Sequence, residues 1–483
     1  MIAVCCRLLV LFLLAGAAHA GSPADRARNV ILFIGDGMGI STVTAARILA
    51  GQQRGATGEE HRLSFDTLPA TALVRVFTAN QQVPDSAPTA TALVTGQLAN
   101  DRAVSVGPGA ARDLADEARL APHRLETLLE QAEARGLATG IVTTTRVTHA
   151  TPAVNYAHTP NRGWERAGQM PAGATLPDIA AQLVQRQRTG DGIEVVLGGG
   201  RQMFLPKAVA DPEYPDLRGQ RTDDRNLVTE WLAAQAGSAF VYDRAGFAAL
   251  DLTRTRKLLG LFEPSHLHYE VDRAGDRAGE PSLAEMTRTA IRVLARNRRG
   301  YFLMVEGGRI DHAHHAGNAW RALTETIALS EAVAAALELV DPRATLVLVT
   351  ADHSHPLTLA GYAARGNPIL GLVREDPQGP LSRDWRGQPY ATLSYANGRG
   401  QALLPVGGEA RAGLPITPGR VADLGEIDTT DQGFHQEALV GLPAGTHAGE
   451  DVALYGWGAG SNLVRGTLDQ PDVYRIMRRA LGW

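Results

Sequence analysis

The sequence contains very little cysteine. Its two cysteines, Cys5 and Cys6, both lie within the first twenty residues. A chain cleaved after that segment holds no disulfide, no thiolate metal ligand and no cysteine nucleophile. We therefore expect its stability to come from a hydrophobic core and from bound metals, and the reactive group to be another residue type.

Long apolar stretches are also missing, apart from a short one at the start. Residues 1–20 carry Arg7, then the apolar residues 8–14, then Ala18-His19-Ala20. This order is typical of a secretory signal peptide that is cleaved before Gly21. Its apolar core is too short to span a bilayer, and no later stretch is long or apolar enough to do so. The pattern predicts a periplasmic or secreted protein without a membrane anchor.

Charge of one sign is not concentrated anywhere in the chain. The formal net charge is −4, and the basic residues are scattered rather than clustered. Both observations argue against nucleic-acid binding and against an anionic membrane surface as a partner. The chain has 483 residues and no evident internal repeat, so its length suits either several domains or one large α/β domain.

Short apolar runs, each followed by glycine or polar residues, recur along the chain. They lie at residues 30–34, 194–197, 301–305 and 345–349, and residues 139–145 form a further strand-like segment that is rich in β-branched residues. Such runs are typical of buried strands in a parallel sheet. Helical periodicity at residues 125–135 and 321–339 alternates with them. We predict an α/β fold with three layers, α/β/α, and a large, mostly parallel central sheet whose carboxyl ends carry the ligand site.

Composition changes between residues 361 and 440, where glycine and proline are frequent and apolar runs are few. We interpret this segment as a small insertion lobe of loops and short strands within one catalytic domain, residues 21–483. Such a lobe could act as a lid or as a contact between subunits.

A serine stands at a predicted helix start in the segment VPDSAPTATALVTG, residues 83–96. Pro88 favours a helix beginning close to Ser86, and the N-terminus of a helix attracts anions. Ser86 is therefore a candidate nucleophile for an anionic substrate. Serine is also a common N-cap residue, so this segment alone does not decide between the two roles.

Histidines and acids elsewhere in the chain favour the role of nucleophile for Ser86 over that of N-cap. Several of the fourteen histidines are clustered: His312, His314, His315, His353, His355 and His447. Asp311 and His315 are four residues apart, so on a helix both side chains face one way. Imidazole together with carboxylate suits Zn²⁺, and His447 is a natural third ligand. A single histidine is more often a core or surface residue, but the set indicates a metal site.

Several motifs in order resemble one family. The segments are IGDGMG, VPDSAPTATALVTG, TTTRVTHATPA, YAHTPNR, LGGGR, VEGGRIDHAHH, TADHSHP and THAGEDV. They resemble the alkaline phosphatases of the animal-type branch, and the likeness covers residues 29–456. The resemblance implies a phosphate monoester hydrolase that acts through a phosphoserine intermediate on Ser86.

The resemblance also implies a set of metal ligands, two Zn²⁺ and one Mg²⁺. The first zinc would take Asp311, His315 and His447. The second would take Asp36, Ser86, Asp352 and His353. The magnesium would take Asp36, Thr151 and Glu306. Arg162 matches the arginine that holds phosphate, and the residues expected near the site are His149, His312 and His355.

The remaining implications concern partners and a further ion. The expected substrates are small phosphate monoesters, and the expected assembly is a homodimer. Part of a calcium site is implied around Glu263 and Glu280, although one expected acid has no clear counterpart in the sequence.

Three other functions are compatible with parts of the pattern. A sulfatase would need a modified cysteine or serine in different surroundings. A phosphodiesterase or phosphonate hydrolase often uses threonine and lacks the arginine. A secreted metal-binding protein without activity is the third alternative, and the complete set of nucleophile, arginine and ligands argues against it.

Overall fold

The computed structural model describes residues 26–188, 191–403, 416–419 and 423–483. The predicted signal peptide, residues 1–20, lies outside the described residues. Among the residues that are described, no helix has the length and apolar character needed to cross a membrane.

Strands occur from one end of the described chain to the other. They are β1 (Asn29–Gly35), β2 (Ala70–Arg75), β3 (Ala138–Arg146), β4 (Val195–Gly199), β5 (Ser238–Val241), β6 (Lys257–Leu261), β7 (Tyr301–Gly307), β8 (Thr345–Ala351), β9 (Leu357–Leu359), β10 (Leu393–Gly398), β11 (Ala402–Leu403), β12 (Phe434–His435), β13 (Ala438–Gly441), β14 (Val452–Gly458) and β15 (Thr467–Asp469).

Helices alternate with the strands. They are α1 (Ile40–Gln52), α2 (Ser86–Thr95), α3 (Glu117–Leu120), α4 (Leu128–Ala134), α5 (Ala150–Ala153), α6 (Ile179–Arg186), α7 (Arg201–Phe204), α8 (Leu227–Ala234), α9 (Arg244–Ala248), α10 (Leu283–Leu294), α11 (Arg309–Ala316), α12 (Ala319–Leu337) and α13 (Gln470–Leu481). Short 3₁₀ turns lie at Ser64–Thr67, Ala121–His123, Ala167–Gln169, Arg273–Gly275, Leu424–Glu426 and Ser461–Leu463.

A central sheet of ten strands organises the fold. Its order is β15-β2-β14-β8-β1-β7-β3-β4-β6-β5, and β14 runs antiparallel to both of its neighbours. The other pairs are parallel. The apolar runs noted in the sequence form β1, β3, β4, β7 and β8, and these strands are buried almost throughout. The predicted α/β class and the large parallel sheet are confirmed.

Helices cover the sheet in two groups. One group contains α1, α10, α11 and α12, and the other contains α2, α4, α5 and α13. Both groups contact sheet strands, which gives the three layers that the sequence predicted. The helix predicted at residues 125–135 is shorter, because Thr127 accepts a hydrogen bond from the Glu130 backbone N–H and so caps the helix at Leu128.

The described part of the segment 361–440 contains short strands and irregular chain. Within the described residues, β10 pairs with β13 and with β9, and β11 pairs with β12. Neither of these small sheets belongs to the ten-stranded sheet. We refer to residues 361–440 as the lobe.

Candidate active site and metal centre

The carboxyl ends of adjacent strands bring the predicted site residues together. Strands β8, β1, β7 and β3 are neighbours in the sheet. Asp36 follows β1, Glu306 lies near the end of β7, and Asp352 and His353 follow β8. All four side chains are buried. The chain can turn after Asp36 because Gly37 has a φ of +70°, and a Cβ there would lie 2.6 Å from His355.

Ser86 is the first residue of α2 and is buried. The N-cap is Asp85, whose side chain accepts a hydrogen bond from the Ala87 N–H, so Ser86 itself does not cap the helix. Ser86 Oγ lies 3.1 Å from His353 Nε2 and 3.4 Å from Asp36 Oδ1. The serine thus combines a helix N-terminus with two candidate metal ligands.

Arg162 approaches the same helix end. Its Nη1 donates to Asp85 Oδ1 at 2.5 Å, and its Nη2 donates to His149 Nε2 at 2.9 Å. Burial opposes the effect, but the Arg162 charge holds the pKa of Asp85 below its ordinary value. A half-buried guanidinium fork that binds Asp85, the residue before Ser86, is suited to binding a tetrahedral anion.

The three side chains predicted for the first zinc converge. Asp311 Oδ1 lies 3.3 Å from His315 Nε2 and 3.3 Å from His447 Nε2, and the two imidazole nitrogens are 3.1 Å apart. Asp311 and His315 come from one helix, α11, as their spacing predicted. His355 Nε2 lies 2.6 Å from the same Asp311 oxygen.

The side chains predicted for the second zinc also converge. His353 Nε2 lies 3.4 Å from Asp36 Oδ1 and 3.4 Å from Asp352 Oδ2. With Ser86 Oγ, which lies 3.1 Å from His353 Nε2, these ligand atoms form one cluster.

The orientation of the histidines fits metal binding. The Nδ1 atoms of His315, His353 and His447 face the backbone carbonyl oxygens of Gly445, Ser354 and Pro84, at 2.5, 3.2 and 2.7 Å. A carbonyl oxygen can only accept, so each Nδ1 is the donor, which in a neutral ring leaves the Nε2 lone pair free for a cation.

The residues predicted for magnesium lie at the end of β7. Asp36, Glu306 and His149 each offer a ligand atom within 4.8 Å of the others. The hydroxyl of Thr151, on α5, lies near Glu306 and lowers the pKa of that carboxylate. Two buried carboxylate oxygens here have no hydrogen-bond partner among the described residues: Asp36 Oδ2 and Glu306 Oε1. Such atoms are costly unless an ion satisfies them.

The pKa values of the buried acids also favour a site for cations. Burial, and then the neighbouring Asp352, raise the pKa of Asp36 well above its usual range. Burial raises the pKa of Asp352 to about 6 and that of Glu306 to about 7. These carboxyl groups crowd negative charge that cations would stabilise.

His312 and His355, expected near the site, are there, and an unpredicted histidine joins them. The His266 ring lies 4.3 Å from the His312 ring and 5.3 Å from the His149 ring, measured between ring centres. Burial lowers the pKa of His266 well below its usual value, so the ring is neutral. The sequence signal for His266 was weak, because it stands outside the motifs quoted for the resemblance.

A second cluster of acids contains the two residues named for calcium. Glu263 and Glu280 lie with His268 and Asp276, and the ligand atoms of the four are within 4.8 Å of one another. Burial, and then the charge of Glu213, raise the pKa of Glu263 to about 9. Glu213 is thus an acid of this region that the sequence reasoning missed. Its place in DPEY, ten residues after LGGGR, was the available signal.

The fold and this site define a metallohydrolase of the α/β class that takes an anionic substrate. Comparison with known proteins narrows the class. The family model for alkaline phosphatase matches residues 27–483. The chain is 44% identical to the tissue-nonspecific alkaline phosphatase of Gallus gallus, over 94% of this chain and 84% of that protein. It is 40% identical to the Homo sapiens isozyme, over 94% and 83%.

Solved structures share the fold. The alkaline phosphatase of the Antarctic bacterium TAB5 superposes with a TM-score of 0.62 at 20% identity, over 95% of this chain and 99% of that one. The Thermus thermophilus enzyme gives 0.66 at 24% identity, over 95% and 92%. The chain belongs to the alkaline phosphatase family. It is therefore a metal-dependent phosphate monoester hydrolase, and a phosphoserine intermediate is the standard mechanism of this family.

Proposed function

We propose that Ser86 is the nucleophile and that Arg162 binds the phosphoryl oxygens. The observation that carries the proposal is the meeting of Ser86 Oγ, the N-terminus of α2 and the His353 and Asp36 ligand atoms within 3.4 Å of the hydroxyl. A helix N-terminus and a guanidinium fork both bind anions.

The proposed metals are two Zn²⁺ and one Mg²⁺. The first zinc would be held by Asp311, His315 and His447, and the second by Asp36, Ser86, Asp352 and His353. The magnesium would be held by Asp36, Thr151 and Glu306. Ligand sets that contain imidazole suit zinc, and sets of oxygen ligands alone suit magnesium. When bound, the zinc ions supply positive charge that lowers the pKa of a neighbouring hydroxyl and stabilises a leaving oxygen.

The protein residues then carry two displacements. The Ser86 hydroxyl gives its proton to solvent and Oγ bonds to phosphorus as the bond from phosphorus to the leaving alkoxide breaks, and the alkoxide takes a proton from solvent. Water next gives a proton to solvent and bonds to phosphorus as the bond to Ser86 Oγ breaks, Ser86 Oγ takes a proton from solvent, and inorganic phosphate leaves. Arg162 and the backbone N–H groups at the start of α2 hold the three remaining oxygens throughout.

Ser86→Ala tests the nucleophile. The variant should lose activity on an aryl phosphate monoester by orders of magnitude while retaining its metals, because Ser86 is one ligand among several. Ser354→Ala is the matched control, since Ser354 is also buried beside His353 but its hydroxyl has no hydrogen-bond partner among the described residues. A Ser86→Ala enzyme with full activity would refute the assignment.

We assign the substrates to small phosphate monoesters rather than diesters. The arginine near Ser86 favours a group with several free oxygens, as a monoester has. Rates on matched aryl monoester and diester substrates measure the preference, and faster diester hydrolysis would contradict it.

We also propose a secreted or periplasmic homodimer. The lobe supports a subunit interface, because Tyr362, Trp385 and Leu439 are 86%, 87% and 76% exposed. Sedimentation of wild type and Leu439→Asp tests the dimer, and a monomeric wild type would rule it out.

N-terminal sequencing of the exported protein tests cleavage before Gly21, and an uncleaved chain would rule out the signal peptide.

A calcium ion at Glu263 and Glu280 completes the proposal. The support is a set of carboxylates at one place, joined by Glu213 and Asp276, with oxygen atoms of Asp276 and Glu280 lacking hydrogen-bond partners among the described residues. Oxygen ligands of this kind suit calcium. Calcium should raise the thermal unfolding midpoint of wild type more than that of Glu263→Gln, and equal shifts would contradict the site.

A further inference from the structure

The last turn of α11 is held by the lobe. The His435 ring donates from Nδ1 to the carbonyl of Ala316 at 2.7 Å. The backbone N–H of Gln436 donates to the carbonyl of Gly317 at 2.9 Å, and the Gln436 side chain accepts from the Ala319 N–H at 2.7 Å. The final carbonyls of a helix have no partner within it, so the lobe satisfies groups that would otherwise need water.

A deeper contact lies inside the same helix. His314 of α11 is fully buried. Its Nδ1 lies 2.7 Å from the hydroxyl of Tyr395, on β10 of the lobe, and its Nε2 lies 3.0 Å from the hydroxyl of Thr42, on α1. Both ring nitrogens are therefore satisfied, and the plane of the ring is fixed from both sides.

The His314 ring in turn supports a ligand. It stacks on the His355 ring, with centres 5.0 Å apart and planes 26° apart. His355 holds the Asp311 carboxylate at 2.6 Å. Contacts thus run without a gap from Tyr395 through His314 and His355 to Asp311. The neighbours of His314 on α11 include His315, so a shift of this helix would move two of the proposed first zinc ligands together.

We propose that the lobe is a brace for the first metal position, and that Tyr395 and His314 are its positioning residues. The proposal rests on the assignment of Asp311 and His315 as ligands of the first zinc. Without the Tyr395 hydroxyl, His314 Nδ1 lies buried with no partner, and the ring can rotate away from the orientation that stacks on His355. The lobe then acts through α11 on ion retention rather than as a lid over the substrate.

Zinc release from the intact holoenzyme tests the brace. Wild type and variants are mixed with an excess of a chromogenic zinc chelator, and the release of each zinc is followed. Tyr395→Phe should release one zinc per chain about 2- to 10-fold faster than wild type, the range expected for one hydrogen bond, and leave the other zinc unchanged. Tyr362→Phe is the matched control, because this lobe tyrosine is exposed, and its release should equal that of wild type.

Further variants separate the outcomes. His314→Gln should also speed the release of one zinc, and the double variant should be no faster than His314→Gln alone, because both changes break one chain of contacts. Tyr395→Phe carries the test by itself if His314→Gln does not fold. Unchanged release from Tyr395→Phe, or equal acceleration of both ions, would overturn the brace. A wild type that binds no zinc would instead overturn the proposed function.

Discussion

The hydroxyl of Thr143 should control magnesium binding through Glu306. Thr143 lies on β3, and its hydroxyl donates to Glu306 Oε2, as the Thr145 hydroxyl also does at 3.2 Å. Burial raises the pKa of Glu306 to about 7, although these hydroxyls lower it. Thr143→Val keeps the shape of the side chain and removes one donor. The pKa of Glu306 should therefore rise further.

The size of the effect follows from the charge on the acceptor. A hydrogen bond to a charged group contributes about 1.5–3 kcal/mol, or roughly one to two pKa units. At about pH 7.5 the ionised fraction of Glu306 would fall from roughly three-quarters to between a quarter and a few per cent. Magnesium needs the ionised form, so its affinity should drop about 3- to 25-fold at that pH. At about pH 9.5 the deficit should shrink to less than about twofold.

Calorimetric magnesium titrations of metal-free protein at the two pH values measure this, because bound zinc would itself lower the pKa of Glu306. Thr139→Val is the matched control, because its hydroxyl on the same strand donates to another carboxylate, Glu133, away from the metals. Thr139→Val should bind magnesium as wild type does. An unchanged affinity in Thr143→Val, or a deficit of the same size at both pH values, would refute the reasoning.

Three further predictions concern the anion, the third metal and the fold. Arg162→Ala should relax inhibition by inorganic phosphate about 10- to 100-fold while leaving measurable hydrolysis, and equal inhibition of variant and wild type would exclude Arg162 as the phosphate ligand. Metal-free protein refilled with excess zinc alone should be slow and should gain activity when magnesium is added. The inhibition by zinc should be weaker in His149→Asp, because imidazole favours zinc. Full activity of wild type without magnesium would contradict this. His158 and Arg186 hold the pKa of Glu130 at about 2 against the effect of burial. Glu130→Gln should therefore lower the free energy of unfolding by up to about 3 kcal/mol at neutral pH. Urea unfolding should show this difference from wild type shrinking as pH falls from about 4.5 towards 2, and a difference that stays constant would contradict the prediction.

The sheet could be predicted because its strands are local patterns. Strands β1, β7 and β8 are continuous apolar runs, and the polar residue after each run marks the carboxyl end. The spacing of Asp311 and His315 likewise determines that they share a helix face. Each of these inferences needs a few neighbouring residues and no knowledge of the rest of the chain.

Contacts between distant segments could not be predicted in the same way. Asp85 is the N-cap of α2 and the partner of Arg162, which is 77 positions away. His314 lies inside a recognised motif, but its partner Tyr395 stands 81 positions later, in a segment with no strong pattern. His266 reaches the histidines of the third metal position from the loop after β6. Such pairs depend on how the layers pack, which the sequence pattern does not encode locally.

The most direct test of the account is the covalent intermediate itself. Wild-type protein is mixed with a phosphate monoester and quenched in acid within the first turnovers, and its peptides are analysed by mass spectrometry. The account predicts one phosphate on the peptide that contains Ser86, localised to that residue and absent from Ser86→Ala. Phosphate on another residue, or an active enzyme that never carries phosphate at Ser86, would contradict it.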